Sequence, residues 1–239
     1  MNKLIVDNLY EFWTYIGELN NSIIVNNKFS YVKIKQSAWP NRIYNFTTAA
    51  INFNEIILGI KDKTLPNAIV VDNPKMIPKN PELVLFLEQQ NMALNLNKYN
   101  KSPVNDILIK IVKTTEDANN FAETASASFN YRVNKELIYS LTHNPNKVKL
   151  FNAVIGNQFS GCGIIFFDSN NNAGLHMIGT KPEGRGKGIG KAITAKMLNE
   201  AKTSGSSYCV LHASAMGQLI YEKLGFESYG KLKSYKLNQ

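Results

Sequence analysis

"GTKPEGRGKGIGKA" occupies residues 179–192. From Gly184 to Gly190, glycine alternates with Arg185, Lys187 and Ile189. The chain has only 15 glycines in 239 residues, so their crowding here marks a local need. Glycine lets backbone N–H groups come close to a ligand, and arginine and lysine add positive charge. The simplest physical match is an anion, a phosphate, resting on a helix N-terminus. The helix begins at once in "GIGKAITAKMLNEAKTSG", where Ile189, Ile193, Met197 and Ala201 recur every four residues and Gly205 can end it.

Two common phosphate loops do not fit. A Walker loop, G-x-x-x-x-G-K-[ST], would need glycine at Lys181 or Arg185, and neither Lys187 nor Lys191 is followed by Ser or Thr. The dinucleotide fingerprint G-x-G-x-x-G would need glycine at Ile189 or Lys191. A third template, [RQ]-x-x-G-x-[GA], is met by Arg185-Gly186-Lys187-Gly188-Ile189-Gly190.

Working outward, the C-terminal half alternates strand-like and helix-like segments. "ILIKIV" (107–112) reads as a strand, and Thr114 or Thr115 can cap a helix over "TTEDANNFAETASASFN". "NKELIYSLTHN" is a second helix. "VKLFNAVIG" and "FSGCGIIFFD" form a hairpin about a turn beside Gly156, and "LHMIGT" is a further strand. After the glycine-rich turn and its helix come the strand "YCVLHAS", the helix "AMGQLIYEKLG" and the alternating strand "YGKLKSYKL". The order is β-α-α-β-β-β-α-β-α-β over residues 104–239.

The first hundred residues share this rhythm without the motif. A helix is expected over Leu9–Leu19, strands over Tyr31–Lys35 and Arg42–Thr48, a helix over Asn54–Lys61 and a strand at Ala68–Val71. A helix over Pro81–Asn91 ("PELVLFLEQQN") and a strand over Ala93–Tyr99 complete it. The match to the C-terminal order is too loose to establish an internal repeat. The expected division is a smaller N-terminal α/β domain, residues 1–103, and a catalytic domain, residues 104–239, of which the first is a candidate degenerate copy. Tyr99–Asp106 is the expected linker. The fold class is α/β with a mixed sheet.

Composition bounds the function. With 44% hydrophobic and 19% charged residues, the chain can build an ample core. Cys162 and Cys209 lie in apolar runs and read as buried thiols, not as a disulfide framework. His143, His176 and His212 are too scattered for a metal site, and no metal is expected. The start reads as an amphipathic helix and no segment is long enough to span a membrane, so the expected location is cytoplasmic. The net charge of +9 permits phosphate or nucleic-acid partners. Its lysines are dispersed, however, without a basic block or aromatic interleaving, which argues against nucleic acid.

The [RQ]-x-x-G-x-[GA] match is where the chain resembles a known family, the GNAT superfamily of acyl-CoA N-acyltransferases. "IGTKPEGRGKGIGKAI" resembles the family's strand, pyrophosphate loop and helix, and "ASAMGQLIYEKLGFE" resembles its second signature around "YEKLGF". The resemblance covers roughly residues 104–239 and implies the GNAT fold there. It also implies acetyl-CoA as cosubstrate, its pyrophosphate bound by Arg185, Gly186, Lys187, Gly188, Ile189, Gly190 and Lys191. The backbone of Ile178 and Thr180 would pair with the pantetheine arm, and Ser214 would contact the coenzyme or cap its helix.

Transfer from a thioester to an amine needs a neutral amine and a proton for the departing thiolate. By motif position the acid is Tyr221. Many relatives carry a glutamate on the strand before the loop, and its place here is about Gly174, a departure that leaves the base open. His176 would share a face with position 174, Ile178 and Thr180 by strand alternation, and is the first candidate base. A core histidine is an equal alternative, and His212 is a third candidate. The implied acceptor is a primary amine on a small molecule or a protein, in a pocket built around Thr114–Asn144. "WPNR" (39–42) is either an element of that cleft or a loop with a packed tryptophan. The sequence leaves the oligomeric state open, with a homodimer as one candidate. The expected function is thus an N-acetyltransferase acting by direct attack in a ternary complex; a non-catalytic acyl-CoA-binding or sensing module is the alternative.

Overall fold

A computed structural model describes residues 1–47, 51–100 and 107–238. The N-terminal part supplies α1 (Asn2–Leu19), β1 (Ile23–Val25), β2 (Ser30–Val32), β3 (Arg42–Tyr44), α2 (Phe53–Lys61), β4 (Ile69–Val71) and β5 (Leu83–Asn95). The C-terminal part supplies β6 (Leu108–Ile111), α3 (Thr115–Phe129), α4 (Lys135–Ser140), β7 (Val148–Ile155), β8 (Gln158–Phe167), β9 (Ala173–Thr180), α5 (Ile189–Thr203), β10 (Tyr208–Ala213), α6 (Ala215–Lys223) and β11 (Glu227–Leu237). Most of the expected linker, and the boundary at 103/104, fall outside the described residues.

Among the described residues, eleven strands form one mixed sheet in the order β1-β2-β3-β4-β11-β5-β10-β9-β8-β7-β6. β3–β4 and β9–β10 are its parallel pairs. Each part contains the same unit: an antiparallel three-strand meander, a helix, and a strand parallel to the last of the three. The closing strands are exchanged. β5, from the N-terminal part, lies beside β10, while β11, from the C-terminal part, lies beside β4. β5 and β11 then pair with each other through the middle of the sheet.

This arrangement corrects the expected helix over Pro81–Asn91. "LVLFL" is a continuous apolar run, which periodicity alone cannot divide between helix and strand. β5 becomes a strand because both its edges are hydrogen-bonded, to Tyr208–Ala213 on one side and Glu227–Leu237 on the other. Glu88 adds ion pairs to Lys231 and Lys233 of β11. The partners arrive more than a hundred residues later, so nothing local signals the pairing. β1 was not anticipated either, and α1 begins seven residues earlier than expected, at Asn2.

Helices cover both faces. α1, α3 and α4 pack on one side around Phe12, Phe121, Leu150, Ile164 and Phe166. α5 packs on the other around Phe151, Ile165, Ile193, Met197 and Leu198. α2 covers β3 and β4 through Ile56, Ile57 and Ile60. Each fully buried side chain of this size contributes about 1.5–3 kcal/mol. Thr114 and Asp117 form a reciprocal capping box on α3. Asn52, Asn134 and Ser214 cap α2, α4 and α6. Among the described residues no helix is long and apolar enough to cross a membrane.

The exchange of β5 makes a direct prediction. Residues 104–239 produced alone leave β10 and β11 without the strand between them, and should be insoluble or lack a cooperative thermal transition. Supplying residues 1–103 in trans should restore soluble, folded protein, measured by yield and circular dichroism.

Candidate active site

β9 and β10 run side by side for three positions only: Ala173 opposite Cys209, Gly174 opposite Val210, and Leu175 opposite Leu211. They then part. β9 continues on β8, with His176 opposite Ile164 and Thr180 opposite Gly161. β10 continues on β5, with His212 opposite Asn91 and Ala213 opposite Gln90. The result is a fork in the sheet, the geometry that accepts an extended ligand as an added strand.

A bulge shapes one prong. Between the pairs Cys162–Gly179 and Ile164–His176, β8 has one residue and β9 has two, Met177 and Ile178. Met177 takes a left-handed backbone, φ 51°. The bulge breaks the expected alternation. His176 and Met177 both face the α1/α3 side, whereas Ile178 packs with the α5 cluster and Thr180 sits against Gly184 beside the loop. His176 therefore does not share a face with Ile178 and Thr180, contrary to the alternation argument.

The glycine-rich loop stands at the mouth of the fork. Pro182–Gly184 form a short 3-10 turn after β9, and Gly186 and Gly188 both have φ 77°. A side chain at either would be strained, while the space around both is open. α5 begins at Ile189 with no side-chain cap. The first-turn amides of an α-helix have no intrahelical partner, so those of Ile189, Gly190 and Lys191 remain available to an anion. Arg185, Lys187 and Lys191 are exposed, and among the described residues no carboxylate ion-pairs with them. The helix dipole adds about 0.3–1 kcal/mol of attraction for negative charge.

On the α6 side, Ser214 accepts a hydrogen bond from the Gly217 amide at 3.3 Å, which makes it a helix cap. Tyr221 is half-buried, its ring edge-on to Phe226 at 5.8 Å. It packs against the same cluster as Ile178. Burial pushes its hydroxyl up to about 12, so the proton stays on at neutral pH.

His176 lies in different surroundings. Its ring stacks on Phe12 of α1 at 4.5 Å. Asn8 of α1 donates through Nδ2 to Asp168 at 3.0 Å and to the Asn172 carbonyl at 3.4 Å. Its Oδ1 is left to accept from His176 Nε2 at 3.2 Å. Burial, helped by neighbouring His212, pushes His176 down to about 3. This neutral ring, wedged between α1 and the sheet, is poorly placed to take a proton from an amine, which argues against the base role. His212 binds Asn91 Oδ1 through Nδ1 at 2.7 Å and is pushed down by burial to about 4.

Gly174 has an equally physical explanation. A Cβ there would lie 1.8 Å from Asn8 Oδ1 and 2.5 Å from His176 Nε2. The place where the resemblance leads one to expect a glutamate is filled by an amide from α1. Sequence reasoning missed Asn8, although an asparagine between Ile5 and Phe12 in an apolar helical stripe was its visible signal. It also missed the Met177 bulge, which has none. A concave pocket of about 550 Å³ lies away from the fork, between the end of α1 and α4, lined among others by Asn20, Lys33, Lys35 and Glu136. Among the described residues no group of three His, Cys, Asp or Glu could hold a metal ion.

The family model of the GNAT acetyltransferase domain matches residues 113–235, which spans the fork, the loop and α6. The chain belongs to the GNAT acetyltransferase family. Solved structures of this fold align along nearly all of this GNAT chain. A GCN5-related N-acetyltransferase from Kribbella flavida superposes with a TM-score of 0.69 at 12% identity, covering 97% of this chain and 95% of that one. A protein assigned to the GNAT family from Novosphingobium aromaticivorans gives 0.65 at 15% identity, covering 98% and 97%. A GNAT-family acetyltransferase from Colwellia psychrerythraea gives 0.55 at 12%, covering 98% and 96%. At these identities the likeness establishes the fold, and it extends over the N-terminal part as well. A comparison with the curated proteins finds no match.

The two histidines beside the fork of this GNAT chain, His176 buried and His212 half-buried, predict a pH dependence. Unfolded, each titrates near 6.5; folded, His176 and His212 titrate near 3 and 4. Below pH 6.5 the unfolded chain therefore binds protons that the folded chain refuses, and stability falls as pH drops towards 4. Urea denaturation between pH 7 and 5, where most carboxylates stay ionised, should show this loss. His176→Gln should reduce the slope by about half.

Proposed function

We propose that this chain transfers an acetyl group from acetyl-CoA to a primary amine by direct attack within a ternary complex. The observation that carries the reading is the fork between β9 and β10 opening beside the uncapped start of α5. The pyrophosphate would rest on the amides from Gly186 to Lys191, with Arg185, Lys187 and Lys191 at its rim. The pantetheine arm would lie against the backbone of Ile178 and Thr180. Ser214 would approach the coenzyme only with its capping hydroxyl, so its contribution is to hold α6 in place.

In this mechanism the amine nitrogen attacks the thioester carbonyl, the carbon–sulfur bond breaks, and the sulfur leaves as thiolate. Tyr221, protonated at neutral pH, gives its proton to the sulfur. The proton lost by the amine balances it, so none is consumed overall. His176 has no part in this. The base that resembles a family glutamate is replaced by the Asn8–Gly174 contact, and the amine would enter as the free base or lose its proton to water. The proposed division keeps residues 104–239 as the catalytic part and 1–103 as the part that covers it, and we place the reaction in the cytoplasm.

That missing glutamate is also the one observation favouring a second reading, an acyl-CoA-binding module without turnover. A free-thiol assay over an amine panel separates the two: coenzyme release dependent on amine supports transfer, and tight binding without release supports the module.

Acetyl-CoA at about a hundred times its dissociation constant should stabilise the fold by about 2.7 kcal/mol, raising the melting temperature by roughly 5–10 °C. Arg185→Glu should weaken acetyl-CoA binding about tenfold or more, read by calorimetry; an unchanged constant would remove the loop from the site. Tyr221→Phe should lower kcat by about a hundredfold while the acetyl-CoA thermal shift is retained, since the hydroxyl acts on the departing sulfur.

A further inference from the structure

Among the described residues, Arg42 is a cation without a counter-charge. It opens β3, directly opposite Val32 of β2, and Val32 belongs to the core on the α1 side of the sheet. Directly paired residues share a face, so the Arg42 side chain lies on that side too. There the segment before it is tied to the α3–α4 connection: the Ala38 amide donates to the Arg132 carbonyl at 2.8 Å, and the Asn134 amide to Ser37 Oγ at 3.3 Å. The guanidinium spends one donor on the carbonyl of Asn41 at 2.7 Å. It has five. Among the described residues no carboxylate pairs with it, and the titratable group that acts on it is the hydroxyl of Tyr131. Burial holds its pKa down, as expected for a charge drawn from water without compensation. The residue is half-buried, so part of it can still be reached.

Tyr131 connects this cation to the fork. Its hydroxyl bonds Met177 Sδ at 3.6 Å, and its ring stacks on Phe129 of α3 at 5.7 Å. Met177 is the bulge residue of the β9 prong, just past Leu175 where β9 leaves β10. Arg42 therefore lies one tyrosine beyond the fork, on the face opposite α5, which is the side left for the acceptor once the coenzyme takes the loop.

We propose that Arg42 binds a carboxylate of the acceptor, so that the amine acetylated is an amino acid or a close analogue. This rests on the acyl-transfer reading and names its substrate class. A guanidinium matches a carboxylate through two parallel hydrogen bonds and one-for-one charge. The net charge of +9 acts in the same direction, drawing in anionic acceptors and repelling polycationic amines.

The test compares a panel of free amino acids with their own carboxamides, which keep the amine and lose the charge. With the native chain, kcat/KM for the best acid should exceed that for its carboxamide about tenfold or more. Arg42→Gln should bring the ratio close to one through KM, with kcat and the acetyl-CoA KM retained. Arg42→Lys, which keeps charge without the fork of donors, should fall between and serves if the glutamine variant does not fold. A native ratio near one, or a ratio that survives Arg42→Gln, overturns the proposal. If no amine is acetylated, acyl transfer fails. Arg42 is then judged by calorimetry of the same pairs on protein saturated with coenzyme A: acid-selective binding lost in Arg42→Gln upholds the carboxylate site, and its absence overturns it.

Discussion

Two adjacent strands of the sheet exchange each other for different neighbours, and the site depends on that exchange. Past Leu175 and Leu211, β9 stays with β8 and β10 stays with β5. Neither prong can close the gap without giving up hydrogen bonds already made, and each buried backbone group left unpaired would cost about 1–3 kcal/mol. β5 is therefore more than a filler. By holding His212 and Ala213 on Asn91 and Gln90, it keeps one prong of the fork aside, and by pairing with β11 it joins the two parts into one sheet.

α1 packs over the forked strands. Its apolar stripe, Ile5, Leu9, Phe12 and Ile16, is interrupted by Asn8, which is completely buried. A buried amide must be paired, and Asn8 finds Asp168, the Asn172 carbonyl and His176. That network locks the ring of His176, fixes which nitrogen carries its proton, and leaves room only for glycine at 174. One polar residue in a helix of the N-terminal part thus shapes two features of the fork, the glycine at 174 and the buried, neutral histidine at 176.

Opposite α1, the loop works through backbone geometry. Gly186 and Gly188 turn left-handed, α5 starts without a side-chain cap, and three cations at the rim have no carboxylate partner among the described residues. Among the described residues, charge is left uncompensated at the loop and at Arg42. Both sit where a negatively charged ligand would restore the balance, one on each face of the sheet.

Local features were legible in the chain itself. Left-handed glycines, the Thr114 and Ser214 caps, the repeat of Ile189, Ile193 and Met197, and the strand–helix order from Ile107 onward each depend on residues a few positions apart, so their physics is written in the sequence. Tertiary contact decided the rest. "LVLFL" became a strand because β10 and β11 flank it. Met177 bulged where β8 supplied one residue against two. His176 was buried against a helix that begins 174 residues earlier in the chain, at Asn2. Hydrogen bonds to distant partners override local preference whenever a buried group would otherwise go unpaired, and no short stretch of sequence shows which partner will come.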